Sequence, residues 1–233
     1  ALMQFEGDAH NANVLGVPAH AISEVGSIKL DQPAPQIAKD QADRISAWKK
    51  AHVLVCLMSS HPHDDALFLS WARRNSGLRL LIVPRHPVRG PEIKKAAIDE
   101  GLSVCQSSLE IEKSAQILIG DTFGDMGAYL SQSDVVVIGG SFSGKGGQNP
   151  IEPALLGKPL IAGPSMHNFQ AISDGLEAVG GLIRADADEI SEVIEEALLG
   201  ANKLGNAAQA WVIANRGSTE LQAQWILATL ATD

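Results

Sequence analysis

The chain has 233 residues, of which 45% are apolar, 19% charged and 4% aromatic. This composition excludes a disordered chain and a collagen-like one, and the length falls between one large domain and two small ones. The 18 basic and 27 acidic side chains give a net charge of −9. That balance argues against nucleic acid as a partner, while a local basic pocket is compatible with it.

The sequence predicts a chain without a membrane segment. No apolar stretch approaches the roughly 20 residues that span a bilayer, and the N-terminal segment lacks the pattern of a signal peptide. We therefore expect a cytoplasmic location. Cys56 and Cys105 each lie in an apolar run, so we expect two reduced thiols in the core.

The first 50 residues differ from the rest. Residues 7–16 have the pattern of a helix that ends at Gly16, and residues 22–30 have some strand character. A proline-containing break at residues 32–36 precedes a helix predicted over 37–50. The chain starts at Ala1 without a methionine, which resembles a cut end, and residues 1–31 are too few for a domain.

From Val53 onward, short apolar runs alternate with amphipathic segments. Such runs are typical of strands buried on both faces of a parallel sheet, with helices between them. The predicted strands are 52–58, 78–83, 102–105, 117–119, 135–138, 159–162 and 181–184. The predicted helices are 64–75, 91–100, 124–131, 150–156, 169–179, 187–199, 203–214 and 218–231. This order predicts an α/β fold, an open, doubly wound, Rossmann-like parallel sheet with helices on both faces.

Polar residues follow the first predicted strand of the repeat. His61, His63 and Asp65 resemble part of a metal site, but Ala66 follows and no later histidine has a ligand context, so no metal is expected. Asp64 or Asp65 is expected to start a helix, with Ser60 and His61 lining the edge of the sheet.

The next strand ends in the segment Pro84-Arg-His-Pro-Val-Arg89. Ligands bind at the carboxyl ends of strands in such sheets, so we expect Arg85 to pair with a phosphate or carboxylate and His86 to donate a hydrogen bond. A proline-stiffened loop with solvated charges is the alternative. In the similar loop after 117–119, Asp121 and Thr122 either meet ligand hydroxyls or cap a helix.

The most informative stretch runs from Val135 to Ala154, where a buried strand leads through glycines into a helix. Backbone N–H groups of this glycine-rich stretch and the N-terminus of the helix are expected to face one anionic ligand, such as phosphate, at the carboxyl edge of the sheet. An equally weighted alternative is a capping box that stabilises the helix without a ligand, built from Asn149, Pro150 and Glu152. Gly146 stands where a P-loop has its hydroxyl, so a nucleotide triphosphatase is not expected.

Several motifs together resemble the transferases of 3-deoxy-D-manno-octulosonic acid (Kdo) in lipopolysaccharide assembly. The matching segments are 26–31, 83–89, 120–125, 139–142, 146–159 and 163–169, in the order of that family. The resemblance implies the C-terminal half of a GT-B glycosyltransferase. Residues 1–31 would be the tail of a missing N-terminal domain with its linker, and 32–233 the Rossmann-like domain that binds the sugar nucleotide.

The resemblance also implies the ligands and the roles of individual residues. The donor would be CMP-Kdo and the acceptor a lipid A precursor, bound through the missing domain, with no cofactor and no metal. Lys29 would stabilise the departing CMP. The residues implied in nucleotide binding are Pro84, Arg85, Phe123, Gly124, Asp125, Asn149, Pro150, Ile151 and Glu152. Ser60, His61, His86, Gly140 and Ser141 are further candidate ligand contacts.

The sequence departs from the family at Ser27, where Asn is usual, and at Gln148, where His is usual. The family's acidic general base lies in the N-terminal domain, so we expect this chain to bind nucleotide without turnover. The parent enzyme would act at the cytoplasmic face of the bacterial inner membrane. Two alternatives stay open: another GT-B enzyme, such as a different glycosyltransferase or a sugar-nucleotide epimerase, and a stand-alone nucleotide-binding module.

Overall fold

The computed structural model describes residues 1–231. The chain begins with strand β1 (Leu2–Met3), helix α1 (Glu6–Val14), strand β2 (Ser23–Glu24) and a 3-10 helix, Ile28–Asp31. The strand character expected over residues 22–30 is thus confined to β2. The chain leaves the extended conformation at Gly26, whose φ is +78°, and Leu30 turns inward on the 3-10 helix to become almost fully buried.

The βα repeat has all seven predicted strands. Helix α2 (Lys39–Lys49) precedes these strands. A helix follows each strand except β5, which is followed directly by β6, and three helices come after the last strand. The elements are β3 (Leu54–Ser60), α3 (Pro62–Arg74), β4 (Arg79–Pro84), α4 (Gly90–Asp99), β5 (Val104–Gln106), β6 (Ile117–Ile119), α5 (Met126–Gln132), β7 (Val135–Ile138), α6 (Ile151–Leu155), β8 (Leu160–Ala162), α7 (Gln170–Ala178), β9 (Leu182–Arg184), α8 (Ile190–Leu199), α9 (Ala201–Ala214) and α10 (Ser218–Leu230).

The seven strands β3 to β9 form one parallel sheet in the order β5-β6-β4-β3-β7-β8-β9. Their side chains are buried on both faces because helices cover both. Alternate strand residues such as Val55, Leu57 and Ile82 form one core cluster with residues of α3, α4 and α8, while the side chains between them are equally buried. The predicted α/β class, with a parallel sheet and helices on both faces, is confirmed.

Two compact units can be distinguished. One unit contains residues 34–209 with the parallel sheet, and the other contains residues 1–33 together with the chain from residue 210 onward. The expected division, with 1–31 as the tail of another domain and 32–233 as the Rossmann-like domain, stays a prediction. Residues 232 and 233 of the predicted 32–233 domain lie outside the described residues.

Hydrogen bonds within the smaller unit explain its grouping. The carboxylate of Asp31 accepts from the backbone N–H groups of Gly217 and Thr219, both at 2.6 Å, and so caps the start of α10. The Ser218 hydroxyl donates to the carbonyl of Gly26 over 2.8 Å. A hydrogen bond from the Thr219 side chain lowers the pKa of Asp31.

Two further observations concern the whole described chain. None of its helices is both long and apolar enough to cross a membrane. Cys56 and Cys105 are buried free thiols, as predicted, and burial raises the pKa of Cys56 to about 12.

Candidate functional site

The order of the strands locates a binding crevice. Successive strands extend from β3 in one direction through β4 and in the other through β7, so the connections reverse between β3 and β7. In open α/β sheets, ligands bind outside the carboxyl ends of the strands at such a switch point. Here that edge carries the loops that follow Ser60, Pro84, Ile119 and Ile138.

The carboxyl end of β3 is irregular. Ser59 has a φ of +54°, and the pairing of β3 with β4 shifts register between Met58 and Ser60. Such a bulge re-aims the residues that follow it. Ser60 is fully buried, and its carbonyl accepts the backbone N–H of Arg85 at 3.0 Å. Ser60 therefore holds the next loop, and its side chain does not line the surface.

A small cavity of about 140 Å³ lies at this edge. It brings together four residues implied in nucleotide binding, Pro84, Arg85, Phe123 and Gly124, with Ser59 and Thr122 beside them. Ligand pockets usually measure roughly 300–1,000 Å³. The cavity therefore accommodates one part of a nucleotide and leaves the rest along the surface.

Two exposed side chains border this cavity. Phe123 is 88% exposed, so its ring is open to a ligand at the cavity. Arg85 is also exposed, and within residues 1–231 its guanidinium makes no hydrogen bond or ion pair. A flat ring beside a cation that is open to a ligand can hold a base and an anionic group.

The wall behind the cavity is a hydrogen-bond network. The Tyr129 hydroxyl lies 2.6 Å from both Ser107 Oγ and Thr122 Oγ1, and Thr122 donates to Asp125 Oδ2 over 2.5 Å. Burial raises the pKa of Tyr129. Asp125, implied in nucleotide binding, thus holds the loop with one carboxylate oxygen.

The carboxylate of Asp121 makes hydrogen bonds within the protein on this side of the site. It accepts hydrogen bonds from Gln106, from the Ser107 hydroxyl, and from the backbone and hydroxyl of Ser108. Burial alone would raise the pKa of Asp121, but these hydrogen bonds, led by those of Ser108, lower it. Asp121 was expected to meet ligand hydroxyls or to cap a helix. In the structure its carboxylate instead links the loops that follow β5 and β6.

The glycine loop after β7 packs very closely. A Cβ atom on Gly139 would lie 2.5 Å from the Met58 carbonyl oxygen, so only glycine fits beside β3. The backbone N–H of Gly140 donates to Asp64 Oδ2 over 2.8 Å, and the amide of Gly139 donates to Met58. The amides of residues 145, 147 and 148 donate to carbonyls of Gly139 and Gly140.

These bonds narrow the expectation for the loop. Five of its amides, that of Gly140 among them, bind the protein itself. Anion binding by the rest of the loop and the start of α6 stays a prediction. Ser141 is fully buried, and its hydroxyl joins the Ile138 carbonyl to the amide of Gly163. The hydroxyl of Ser141 is therefore structural as well.

Helix α6 begins at Ile151 with Pro150 as its N-cap residue, one position later than the predicted N-cap, Asn149. Asn149 Oδ1 accepts the N–H of Ile151 over 3.0 Å, and Asn149 Nδ2 donates to Glu152 Oε1 over 3.4 Å. Pro150 and Ile151 are buried, which makes them packing residues at this turn. Burial raises the pKa of Glu152, while its half-exposed carboxylate remains accessible.

The histidines of the edge differ in environment. His61 is half-buried, with its Nε2 atom 3.4 Å from Gln148 Nε2, and burial lowers its pKa. Gln148 thus contacts His61 at the position where the family usually has His. His86 is exposed on the loop after β4. Among the described residues, no group of three or more His, Cys, Asp or Glu is arranged to hold a metal.

Lys29 belongs to the smaller unit. It lies exposed on the 3-10 helix Ile28–Asp31, next to the segment that caps α10. Its predicted role with departing CMP stays a prediction.

Sequence reasoning missed the contacts of three residues of this edge: Asp64, Asp65 and Arg89. Asp64 or Asp65 was expected to begin a helix, with Asp65 also weighed as part of a metal site, and both lie in the first turn of α3. Their burial, at 0% and 4% exposure, marks them as more than caps. Asp64 Oδ2 binds the glycine loop, and Asp65 Oδ2 lies 2.5 Å from Arg89 Nη2. Two adjacent acids at the end of a strand were the available signal.

A larger open groove of about 470 Å³ lies at the opposite edge of the sheet, beside Lys49, Lys50 and the start of β3. Lys49 is engaged there with Asp134 over 2.7 Å. Because this edge carries the amino ends of the strands, the fold favours the smaller cavity as the ligand site.

Comparisons with known proteins agree with this architecture. The chain is 31% identical over 227 residues to a 3-deoxy-D-manno-octulosonic acid transferase of Bordetella pertussis, covering 91% of this chain and 53% of that protein. It is 29% identical over 219 residues to the enzyme of the same name from Haemophilus influenzae, covering 88% and 51%. The chain thus spans about half the length of the curated relatives it matches. No protein-family model matches it.

Solved structures show the same relationship. The C-terminal CMP-Kdo binding domain of WaaA from Acinetobacter baumannii superposes with a TM-score of 0.67 at 25% identity, covering 75% of this chain and 96% of that one. Sucrose-phosphate synthase from Thermosynechococcus elongatus, at 13% identity and a TM-score of 0.62, shares the fold. The predicted resemblance to the Kdo transferases and to the C-terminal half of a GT-B fold is confirmed.

Proposed function

We propose that this relative of the Kdo transferases binds CMP-Kdo and provides the donor half of a transferase active site. The observation that carries the proposal is the cavity after β4 and β6, which gathers Pro84, Arg85, Phe123 and Gly124 from separate motifs. The relatives' names support the donor, and they do not favour a stand-alone module or another GT-B enzyme.

The cavity suits the nucleoside end of the donor. Phe123 offers a flat, exposed face on which a base stacks, and the proline-stiffened loop of Arg85 brings a guanidinium beside it. Because Arg85 is exposed at this cavity, its guanidinium can pair with the CMP phosphate.

Glu152 suits the ribose. A carboxylate repels phosphate but accepts hydrogen bonds from sugar hydroxyls. Asn149 holds Glu152 through its amide, so the carboxylate is oriented before ligand arrives. In this proposal Asn149 acts on the ribose contact by orienting Glu152.

The complete reaction needs more than this chain. In the proposed transfer, a hydroxyl oxygen of the lipid A precursor bonds to the anomeric carbon of Kdo. The bond from that carbon to the CMP phosphate oxygen breaks, and the hydroxyl proton passes to an acidic base in the N-terminal domain that the resemblance implies. Lys29 would stabilise the charge on CMP as it leaves. We place the parent enzyme at the cytoplasmic face of the bacterial inner membrane, and expect this chain alone to bind without turnover.

Calorimetric titration of the chain with CMP, UMP and CMP-Kdo tests the proposal. We expect CMP and CMP-Kdo to bind in preference to UMP, and Arg85→Ala and Glu152→Ala each to weaken CMP by about tenfold, as for lost charged hydrogen bonds. Arg74→Ala and Glu195→Ala, at exposed helix positions, are matched controls. Preference for UMP, or CMP binding unaffected by both site variants, would contradict it.

A further inference from the structure

The loop that carries Arg85 is held by a second arginine four residues later. Arg89 Nη2 lies 2.5 Å from Asp65 Oδ2, and the two side chains are only 15% and 5% exposed. Arg89 also pairs with the exposed Glu92 at 3.3 Å. The ion pair with Asp65 joins the loop after β4 to the first turn of α3.

Both arginines converge on one carbonyl. The Ser60 oxygen accepts the backbone N–H of Arg85 at 3.0 Å and Arg89 Nη1 at 3.3 Å. Ser60 follows the bulge at Ser59, so this carbonyl is where the end of β3 meets the loop. Arg89 uses one guanidinium nitrogen for Asp65 and another for Ser60, a two-pronged geometry that lysine cannot reproduce.

The Arg89–Asp65 ion pair and the hydrogen bonds to Ser60 restrict the backbone of the loop more than they stabilise the fold. Buried ion pairs contribute little net stability compared with apolar packing, because both charges lose their hydration. Arg85 has no recorded side-chain partner among the described residues, so its direction depends on the backbone that carries it. Pro84 and Pro87 already restrict that backbone. Fixing it at Ser60 leaves the loop few alternative conformations.

We propose that Arg89 and Asp65 are positioning residues, which hold the loop so that Arg85 faces the nucleotide cavity. The inference rests on the proposed function in that Arg85 is the nucleotide contact. It assigns roles to two residues outside the cavity, and it predicts that Arg89 affects the nucleotide through Arg85 alone.

A double-mutant cycle tests this dependence in the 233-residue chain. CMP affinity is measured for the native chain, Arg85→Ala, Arg89→Lys and the double variant. Arg89→Lys keeps the charge near Asp65 and loses the bond to Ser60, so folding is retained. We expect about fivefold weaker CMP binding from Arg89→Lys when Arg85 is present, and less than about twofold when residue 85 is Ala.

Hydrogen exchange gives a readout that needs no ligand. If Arg89 fixes the loop, the Arg85 amide exchanges faster in Arg89→Lys by about tenfold or more, because its bond to Ser60 opens more often. Asp65→Asn, which weakens the same ion pair, is expected to shift exchange in the same direction. Arg73→Lys, in an exposed pair with Glu100 at 3.5 Å, is the matched control and leaves both readouts unchanged.

The outcomes are distinct. Equal losses of CMP affinity in both backgrounds, or unchanged exchange of the Arg85 amide in both Arg89→Lys and Asp65→Asn, overturn the inference. Failure of the native chain to bind CMP contradicts the proposed function, and the exchange result then still decides whether Arg89 positions the loop.

Discussion

The backbone amide of Gly140 donates a hydrogen bond to the carboxylate of Asp64, a residue 76 positions earlier in the chain, over 2.8 Å. The same Asp64 oxygen accepts the amide of His61 at 2.9 Å. One fully buried carboxylate thus joins the ends of β3 and β7, the two strands that flank the switch point. Because the loops have no regular ladder to hold them, this bond sets how they meet.

Replacing Asp64 is expected to destabilise the fold. Asp64→Ala leaves two amides without their acceptor, and hydrogen bonds to charged groups are worth roughly 1.5–3 kcal/mol each, so we expect a loss of about 3 kcal/mol. Denaturant unfolding measures it. Asp188→Ala, at an exposed position, is the control and should change stability by less than about 0.5 kcal/mol. Similar stability for the two variants would show that the loops do not depend on Asp64.

The close packing of the glycine loop gives a second prediction. Gly139→Ala places a Cβ atom 2.5 Å from the Met58 carbonyl, so a strand or the loop must move, and we expect a loss of about 2 kcal/mol or more. In Gly77→Ala, the added Cβ has no atom within 4 Å. Thermal unfolding should leave Gly77→Ala near the native chain. An unchanged Tm for Gly139→Ala would contradict the packing described.

The strands could be predicted from the sequence because their apolar pattern is local and is visible without knowing which strands pair with one another. Runs such as Val135–Ile138 are buried on both faces, so every residue in them is apolar, and all seven were located within about two residues. The candidate cavity was likewise within reach, because Arg85 and Phe123 follow strands whose carboxyl ends share one edge.

The partners of individual polar groups could not be predicted. Asp64 and Asp65 are adjacent and chemically identical, yet one binds a glycine amide and the other Arg89. A local capping role accounts for both in the sequence, so the pair of acids marks this strand end but does not indicate which distant group each carboxylate binds. For the same reason the glycine-loop amides were expected to face a ligand, whereas five of them have partners in β3, in Asp64 and within the loop itself.

The burial of Glu152 predicts a dependence on pH. Burial raises its pKa in the folded state above the usual 4.5, so between these two values the folded chain binds more protons than the unfolded one. Its contribution to stability is therefore full below pH about 4.5 and falls as the pH rises through the folded pKa. Glu152→Gln has no carboxyl group at this position, so it does not lose stability in this way as the pH rises.

We accordingly expect Glu152→Gln to be more stable than the native chain at pH 7.5, and the difference to vanish near pH 4. Comparing denaturation of the two proteins across this range isolates Glu152 from other buried acids. A stability difference that does not change with pH would contradict the assignment of the raised pKa to this carboxyl.

The exposed ring of Phe123 gives the sharpest separation of function from stability. Because the ring is 88% exposed, Phe123→Ala removes almost no buried area and should leave the free energy of unfolding within about 0.5 kcal/mol of the native value. Stacking of a base on an aromatic ring is worth roughly 1–3 kcal/mol, so CMP affinity should fall by about fivefold or more.

Val88, 84% exposed on the loop after β4, offers the control Val88→Ala, which removes apolar surface without a ring. Calorimetric titration with CMP and parallel unfolding measure both effects. Equal CMP affinity in Phe123→Ala and Val88→Ala would place the base elsewhere along the edge, whereas a loss confined to Phe123→Ala assigns it to the cavity beside Arg85.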